Sequence, residues 1–209
     1  MTLFLKIKKT FQNTLTEFIT GLVYLKAIPE NTNLLSNFFH HVLNLKTVPR
    51  QGWIDKLNLT SPESVADHSY SMAVIAMFLG DLLKLDTAKM IKMALLHDLA
   101  ESITGDLTPE QASKLNKEKL EEDTIKDILQ DLPDSINKEY FEIWKEYLNK
   151  SSSESLVVHE IDKFEMAIQA IKYSNETNEK LIQEFLDSSL PYISNPKLKE
   201  ILNNMLNEQ

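Results

Sequence analysis

The stretch Ala94-Leu95-Leu96-His97-Asp98-Leu99-Ala100-Glu101 places one imidazole and two carboxylates within five residues, at the end of an apolar run. Residues three and four apart share one face of a helix, so Glu101 lies near both Asp98 and His97. Imidazole nitrogen and carboxylate oxygen are ligands that a divalent transition metal accepts, and an acid beside such a cation can activate water. A His-Asp doublet is more often a hydrogen-bonded surface or core pair, so by itself it leaves both readings open.

Other residues able to do chemistry are spread along the chain. His68 is followed by Met72, Ile75, Ala76 and Leu79 at the spacing of one helical face. It therefore tops a buried stripe, where an imidazole needs a polar partner or a metal. Asp106 stands just past Gly105, read as the glycine ending the helix that carries His97, Asp98 and Glu101. Asp162 and Glu165 edge the apolar stripe of Val157, Ile161, Phe164, Ala167, Ile168 and Ile171. The 22 basic residues are 21 Lys and a single Arg, Arg50. A planar guanidinium grips phosphate or carboxylate through two bonds, which Lys cannot do. Trp53 adds an aromatic plane three residues on, and the pair suits a phosphate with a base or sugar. The plainer alternative is an ordinary turn with Trp53 plugging the core. His40 and His41 lack a nearby carboxylate in sequence and read as surface or core residues. His159, one turn before Asp162, reads as a supporting or surface residue rather than a ligand.

Helices must position these groups. Between the sparse Gly and Pro residues the apolar pattern is helical and never alternates, which predicts an all-α fold. The expected helices cover 1–28, 32–46, 61–83, 87–104, 110–131, 135–149, 154–173, 177–190 and 197–206, with 47–53 as a loop. The first is expected to pack on the body or on a second subunit. A chain of 209 residues, 43% hydrophobic and 25% charged, is large enough for one domain with a sizeable core, or one domain with extensions. Cysteine is absent, so there is no disulfide framework and no thiolate ligand, and any metal must use His and carboxylates. A net charge of −9 argues against a nucleic-acid polymer as partner. No uncharged apolar window is long enough to span a membrane, and no signal peptide is read at the N-terminus. A cytoplasmic protein without a membrane partner is the expectation.

A His, a distant His-Asp doublet and a further distant Asp in an all-α chain resemble the HD-domain metal-dependent phosphohydrolases. The matching positions are His68, His97-Asp98 and Asp162. Val48-Pro49-Arg50-Gln51-Gly52-Trp53, Pro62–His68, Leu96–Glu101, Gly105-Asp106 and Asp162–Met166 together resemble the HD-domain 5′-deoxynucleotidases. The resemblance implies an HD-domain helical bundle over residues 33–176. It leaves an N-terminal helical extension (1–32) and a C-terminal one (177–209) packed on the same domain. It implies hydrolysis of deoxyribonucleoside 5′-monophosphates, a small-molecule substrate, with Co²⁺, Mn²⁺ or Mg²⁺ as the divalent cofactor. By the same resemblance His68, His97, Asp98 and Asp162 are the metal ligands and Glu101 acts on the attacking water. Arg50 binds phosphate, with Trp53 near the nucleotide. Asp106 faces the sugar or the chemistry, and Glu101, Asp106 and the Leu107 carbonyl form a second cation site. A homodimer is expected. Some relatives carry the Arg and Trp adjacent, whereas here two residues separate them.

Charge sharpens this picture. Asp98, Asp162, Glu101 and Asp106 with a phosphate monoester outweigh one divalent cation plus Arg50. Either a second cation binds, which we favour, or one acid stays protonated and serves as proton donor. Two other readings stand beside this one. Hydrolysis of a nucleoside triphosphate or cyclic phosphodiester calls for more cations than Arg50, Lys163 and Lys56 provide. A non-catalytic scaffold has no use for Glu101 and Arg50.

Overall fold

The structure, a computed structural model, describes residues 32–108, 111, 116–175 and 179–207. The chain divides into two units, Met1–Ser36 and Asn37–Gln209. Of the first, only the opening turn of helix α1 (Thr32–Asn44) is described, and the helix expected over 1–28 lies outside the described residues.

The second unit is all-α, as its apolar pattern predicts. After α1 come α2 (Gln51–Leu57), α3 (Val65–Leu83), α4 (Thr87–Leu96) and the one-turn α5 (Glu101–Thr104). Then follow α6 (Lys117–Leu129), α7 (Asp134–Leu148), α8 (Ser153–Lys172), α9 (Glu179–Ser189) and α10 (Pro196–Asn207). Helices α3 and α4 pack along each other, and α8 lies against α3, α4, α7, α9 and α10. Their shared interior holds Met72, Met90, Met93, Ile161 and Ile171. Gly80 allows the close approach of α3 to the start of α4. A Cβ there would meet the Thr87 hydroxyl at 2.8 Å and its Cα at 3.0 Å. Among the described residues no helix is long and apolar enough to cross a membrane.

Three departures from the expected elements shape the site. Helix α3 begins at Val65, not Ser61, because Ser64 caps it. The Ser64 hydroxyl accepts from the Asp67 N–H, and the Asp67 carboxylate accepts from the Ser64 N–H in return. The cap residue itself is extended, and Ser64 forms an isolated antiparallel bridge with Pro49. Second, the expected loop over 47–53 becomes helix α2 from Gln51, whose N–H donates to the Asp106 carboxylate at 2.7 Å. An anion at a helix start is favoured by the free N–H groups there. Third, the helix expected over 87–104 is interrupted between Leu96 and Glu101. The Leu99, Glu101 and Ser102 N–H groups each reach back three residues, not four. The tighter winding rotates Asp98 and Glu101 from where a continuous helix would put them.

Candidate active site

The capped first turn of α3 delivers His68 to the interior, where it is fully buried. Its Nδ1 lies 2.6 Å from Glu165 Oε2 on α8. Its Nε2 points the other way, 3.5 Å from Asp162 Oδ1 and 4.0 Å from Asp98 Oδ2. His97 follows the last turn of α4. Its Nδ1–H donates to the Ala94 carbonyl at 2.9 Å, and its Nε2 sits 3.0 Å from Asp98 Oδ2. The two imidazole rings meet edge to face, with centroids 5.5 Å apart. The structure thus brings ligand atoms of His68, His97 and Asp98 within 4.8 Å of one another, with Asp162 beside His68, from two helices, α3 and α8, and the turn after α4.

These residues fit a divalent cation. Both Nδ1 atoms are engaged, which turns the Nε2 lone pairs toward the carboxylates. Both Nε2 atoms are buried without a hydrogen-bond partner among the described residues. Two imidazole nitrogens facing two carboxylates make a donor set of the kind such cations take once the His68 proton is displaced. Electrostatics point the same way. Burial acts to raise the Asp98 and Asp162 carboxyls, yet His97 and Arg50 for Asp98, and His68 and Lys163 for Asp162, hold both below the ordinary range. Burial and Arg50 act to lower the His68 imidazole, but Asp162 and Glu165 lift it to about 9. In the absence of a cation His68 holds a proton between these acids, the position a cation would compete for.

A cavity of about 240 Å³ opens on this point, lined by Arg50, Asp98, Glu101, Asp106, Lys117 and Lys163 among others. Arg50 precedes α2, fixed by its N–H donating to the Glu63 carbonyl at 3.0 Å. Its Nη1 lies 3.3 Å from Asp98 Oδ2 and 3.9 Å from Asp106 Oδ1. Glu101 is buried, with Oε2 lacking a hydrogen-bond partner among the described residues. Burial, with Asp98 and Asp106 nearby, pushes its carboxyl up to about 10. Leu107 lines a neighbouring cavity that shares Arg50, Asp106 and Lys163.

Trp53 is not an open platform. It is almost fully buried, with its ring stacked on Phe185 at 4.3 Å between centroids and its Nε1–H donating to Glu63 at 2.9 Å. It borders the neighbouring cavity as part of the core wall. His159 is held by Tyr147, with its Nε2 2.8 Å from the Tyr147 carbonyl and the two rings stacked 3.9 Å apart. The Tyr147 ring in turn meets His97 edge-on at 5.3 Å, so His159 acts behind the site.

Several residues at the site had no role assigned from the sequence. Glu165 stood in view one turn after Asp162, and that spacing was the available signal. Glu63, half-buried beside Glu165, has its carboxyl raised to about 7 by partial burial and by that neighbour. Lys117 sits in a strongly charged stretch that reads as a solvated face, yet it lines the cavity and pairs with Glu121 at 3.2 Å. Lys163 pairs with Asp162 Oδ2 at 3.0 Å. Glu165 carries the first prediction, because a carboxylate on the far nitrogen of a ligating imidazole fixes its tautomer and raises its basicity. Glu165→Gln is expected to weaken divalent-cation affinity about 10–100-fold, read by calorimetric titration of the metal-free protein. Unchanged affinity would assign Glu165 to packing alone.

A His, a His-Asp doublet and a distant Asp converging at one point of an all-α fold define the class of HD-domain proteins. The HD domain profile matches residues 42–204, and the chain belongs to this family. Two relatives carry the name 5′-deoxynucleotidase HDDC2. The Mus musculus protein is 39% identical, over 84% of this chain and 88% of its own length. The Homo sapiens protein is 38% identical, over 82% and 84%. Among solved structures, the PH0347 protein from Pyrococcus horikoshii OT3 superposes with a TM-score of 0.68 at 32% identity, over 82% of this chain and 98% of that one.

Proposed function

We propose that this protein is a 5′-deoxynucleotidase, which hydrolyses deoxyribonucleoside 5′-monophosphates to deoxynucleoside and phosphate with the help of a divalent cation. The observation that carries the reading is the pair of buried imidazole nitrogens, His97 Nε2 beside Asp98 and His68 Nε2 beside Asp162, set against a cavity that His97, Asp98, Asp162, Arg50 and Glu101 line. The names of the relatives supply the substrate class. His68, His97, Asp98 and Asp162 would hold the cation, with Co²⁺, Mn²⁺ or Mg²⁺ as the ion. Such a cation polarises a phosphoryl oxygen and lowers the pKa of water. Arg50 grips the equatorial phosphate oxygens through its fork. Lys117 and Lys163 add positive charge to the same cavity. Glu101 orients the attacking water and accepts its proton, the P–O5′ bond breaks, and the leaving 5′-oxygen takes a proton from solvent to give the deoxynucleoside. Asp106, anchored by the Gln51 N–H, faces the sugar. With Glu101 and the Leu107 carbonyl it would hold a second, weaker-bound cation. Trp53 contributes as a wall under the nucleotide.

The reading includes a homodimer. Tyr70, Val74, Phe78 and Leu82, four residues apart on α3, form an exposed apolar stripe well suited to a second copy. Sedimentation equilibrium should give twice the 24.0 kDa of one chain.

The deciding experiment is phosphate release from a panel of deoxy- and ribonucleoside monophosphates with each cation, and with EDTA as control. Cation-dependent release from the deoxy set, with the ribo set much slower, is the expected result. No release from any monophosphate would overturn the reading and send the panel to triphosphates and cyclic diesters.

A further inference from the structure

The cavity at the His-Asp point shares Arg50, Asp106 and Lys163 with a second cavity of about 660 Å³, within the ~300–1,000 Å³ of small-molecule sites. Helices α2, α8 and α9 and the turn after α9 enclose it, through Lys56, Met166, Phe185 and Tyr192. Two of its aromatic residues are already committed. Trp53 and Phe185 stack on each other, and Lys56 Nζ stands 5.0 Å from the Phe185 centroid. Tyr192 is different. It is 64% exposed, with no hydrogen bond or ring contact among the described residues.

This exposed ring is held on a rigid support. It lies in the Leu190–Tyr192 turn, between Pro191 and the fully buried Ile193. The turn is closed by the Ile193 N–H donating to the Leu190 carbonyl at 3.3 Å. Just beyond it, Glu160 on α8 accepts from the Ser194 hydroxyl at 2.8 Å and from the Asn195 N–H at 2.7 Å. With the backbone of the turn fixed, a ligand at the rim of the cavity has to order only the one side chain. Among the described residues, Lys56 is the one cation lining this cavity beyond the three shared residues, and Asp55 offsets it. The space therefore does not suit further phosphates. It suits a flat, uncharged group joined to a phosphate held by Arg50.

We propose that this second cavity receives the deoxynucleoside half of the substrate, and that Tyr192 is the aromatic face on which the base stacks. The proposal rests on the deoxynucleotidase reading. It gives the turn between α9 and α10 a role in recognising the base.

The test compares Tyr192→Ala, Tyr192→Phe and Tyr192→Trp with the parent chain. Loss of a stacked aromatic should raise KM for a deoxynucleoside monophosphate roughly 5–150-fold, with kcat nearly unchanged. The inhibition constant of the free deoxynucleoside should rise in parallel, while that of inorganic phosphate stays fixed. Tyr192→Phe and Tyr192→Trp should behave like the parent. Because Tyr192 is exposed, Tyr192→Ala should keep the parent Tm. An unchanged KM in Tyr192→Ala, or equal weakening of deoxynucleoside and phosphate, overturns the proposal. A parent chain inactive on every monophosphate overturns the deoxynucleotidase reading, a failure visible before any variant is compared.

Discussion

Glu101→Gln should lower phosphate release by about 10²–10⁴-fold and leave the cation bound. Glu101 is buried at the start of α5, beside Asp98 and Asp106, and its Oε2 has no hydrogen-bond partner among the described residues. A polar atom kept dry and unpaired is costly unless a ligand completes it. Burial and the two neighbouring acids push its carboxyl up to about 10, so without a cation it keeps its proton. Two positive charges added beside it shift that balance toward the carboxylate, the form able to accept a proton from water. Glutamine keeps the volume and loses the titration, so the fold and the four ligands should stay in place. Because the acid is already neutral without a cation, the Tm of the metal-free protein should barely change.

The same variant separates base from acid. A proton donor to the leaving 5′-oxygen matters little when the leaving group is a stable phenolate. If Glu101 acts on the water, the loss should be equal on a deoxynucleotide and on p-nitrophenyl phosphate. A much smaller loss on the phenyl ester would make Glu101 the proton donor instead. Full activity in Glu101→Gln would remove Glu101 from the chemistry.

Where the sequence was legible, the reason is local periodicity. His68 above Met72, Ala76 and Leu79 showed a polar group at the head of a buried stripe, and that is where α3 carries it. Asp162 beside Ile161 and Phe164 showed a carboxylate at the edge of the α8 stripe in the same way. Arg50 was visible only because it is the sole Arg. What stayed hidden depends on long-range approach. His68 and Glu165 stand 97 positions apart with no periodic link, so the carboxylate behind the imidazole emerges only when α3 and α8 pack. Lys117 reads as part of a solvated face until the start of α6 turns it into the cavity. The break after Leu96 is hidden for a different reason. Nothing between Leu96 and Glu101 is a helix breaker, and the tightening is visible only in hydrogen bonds that reach back three residues. Trp53 misleads in the opposite direction. An aromatic near a lone Arg reads as a ligand platform, but its stacking on Phe185, 132 residues away, places it in the wall.

Arg50→Ala should lower kcat/KM for a deoxynucleoside monophosphate by about 10²–10³-fold, the usual cost of losing one charge-stabilising donor. Arg50→Lys should recover only part of it, since an ammonium keeps the charge and loses the fork. Burial acts to lower the guanidinium's pKa, but Asp98, Asp106, Asp162 and Glu101 raise it above its ordinary value, so it is charged at any working pH. Two roles compete for that charge. Arg50 could neutralise the carboxylates it touches, or it could bind the substrate phosphate. Its contacts to Asp98 and Asp106 both run through Nη1, and a guanidinium has further donors along its fork. Those donors can meet two phosphate oxygens while Nη1 stays with the acids. Lys117 and Lys163 are each already paired with one carboxylate, Glu121 and Asp162, and as ammonium groups they offer no fork. The inhibition constant of inorganic phosphate distinguishes the roles. If Arg50 binds phosphate, that constant rises in Arg50→Ala together with KM, while cation affinity holds or improves as a competing positive charge leaves. If phosphate inhibition is unchanged and the loss appears in cation affinity, Arg50 serves the carboxylates, and the phosphate is held by Lys117 and Lys163.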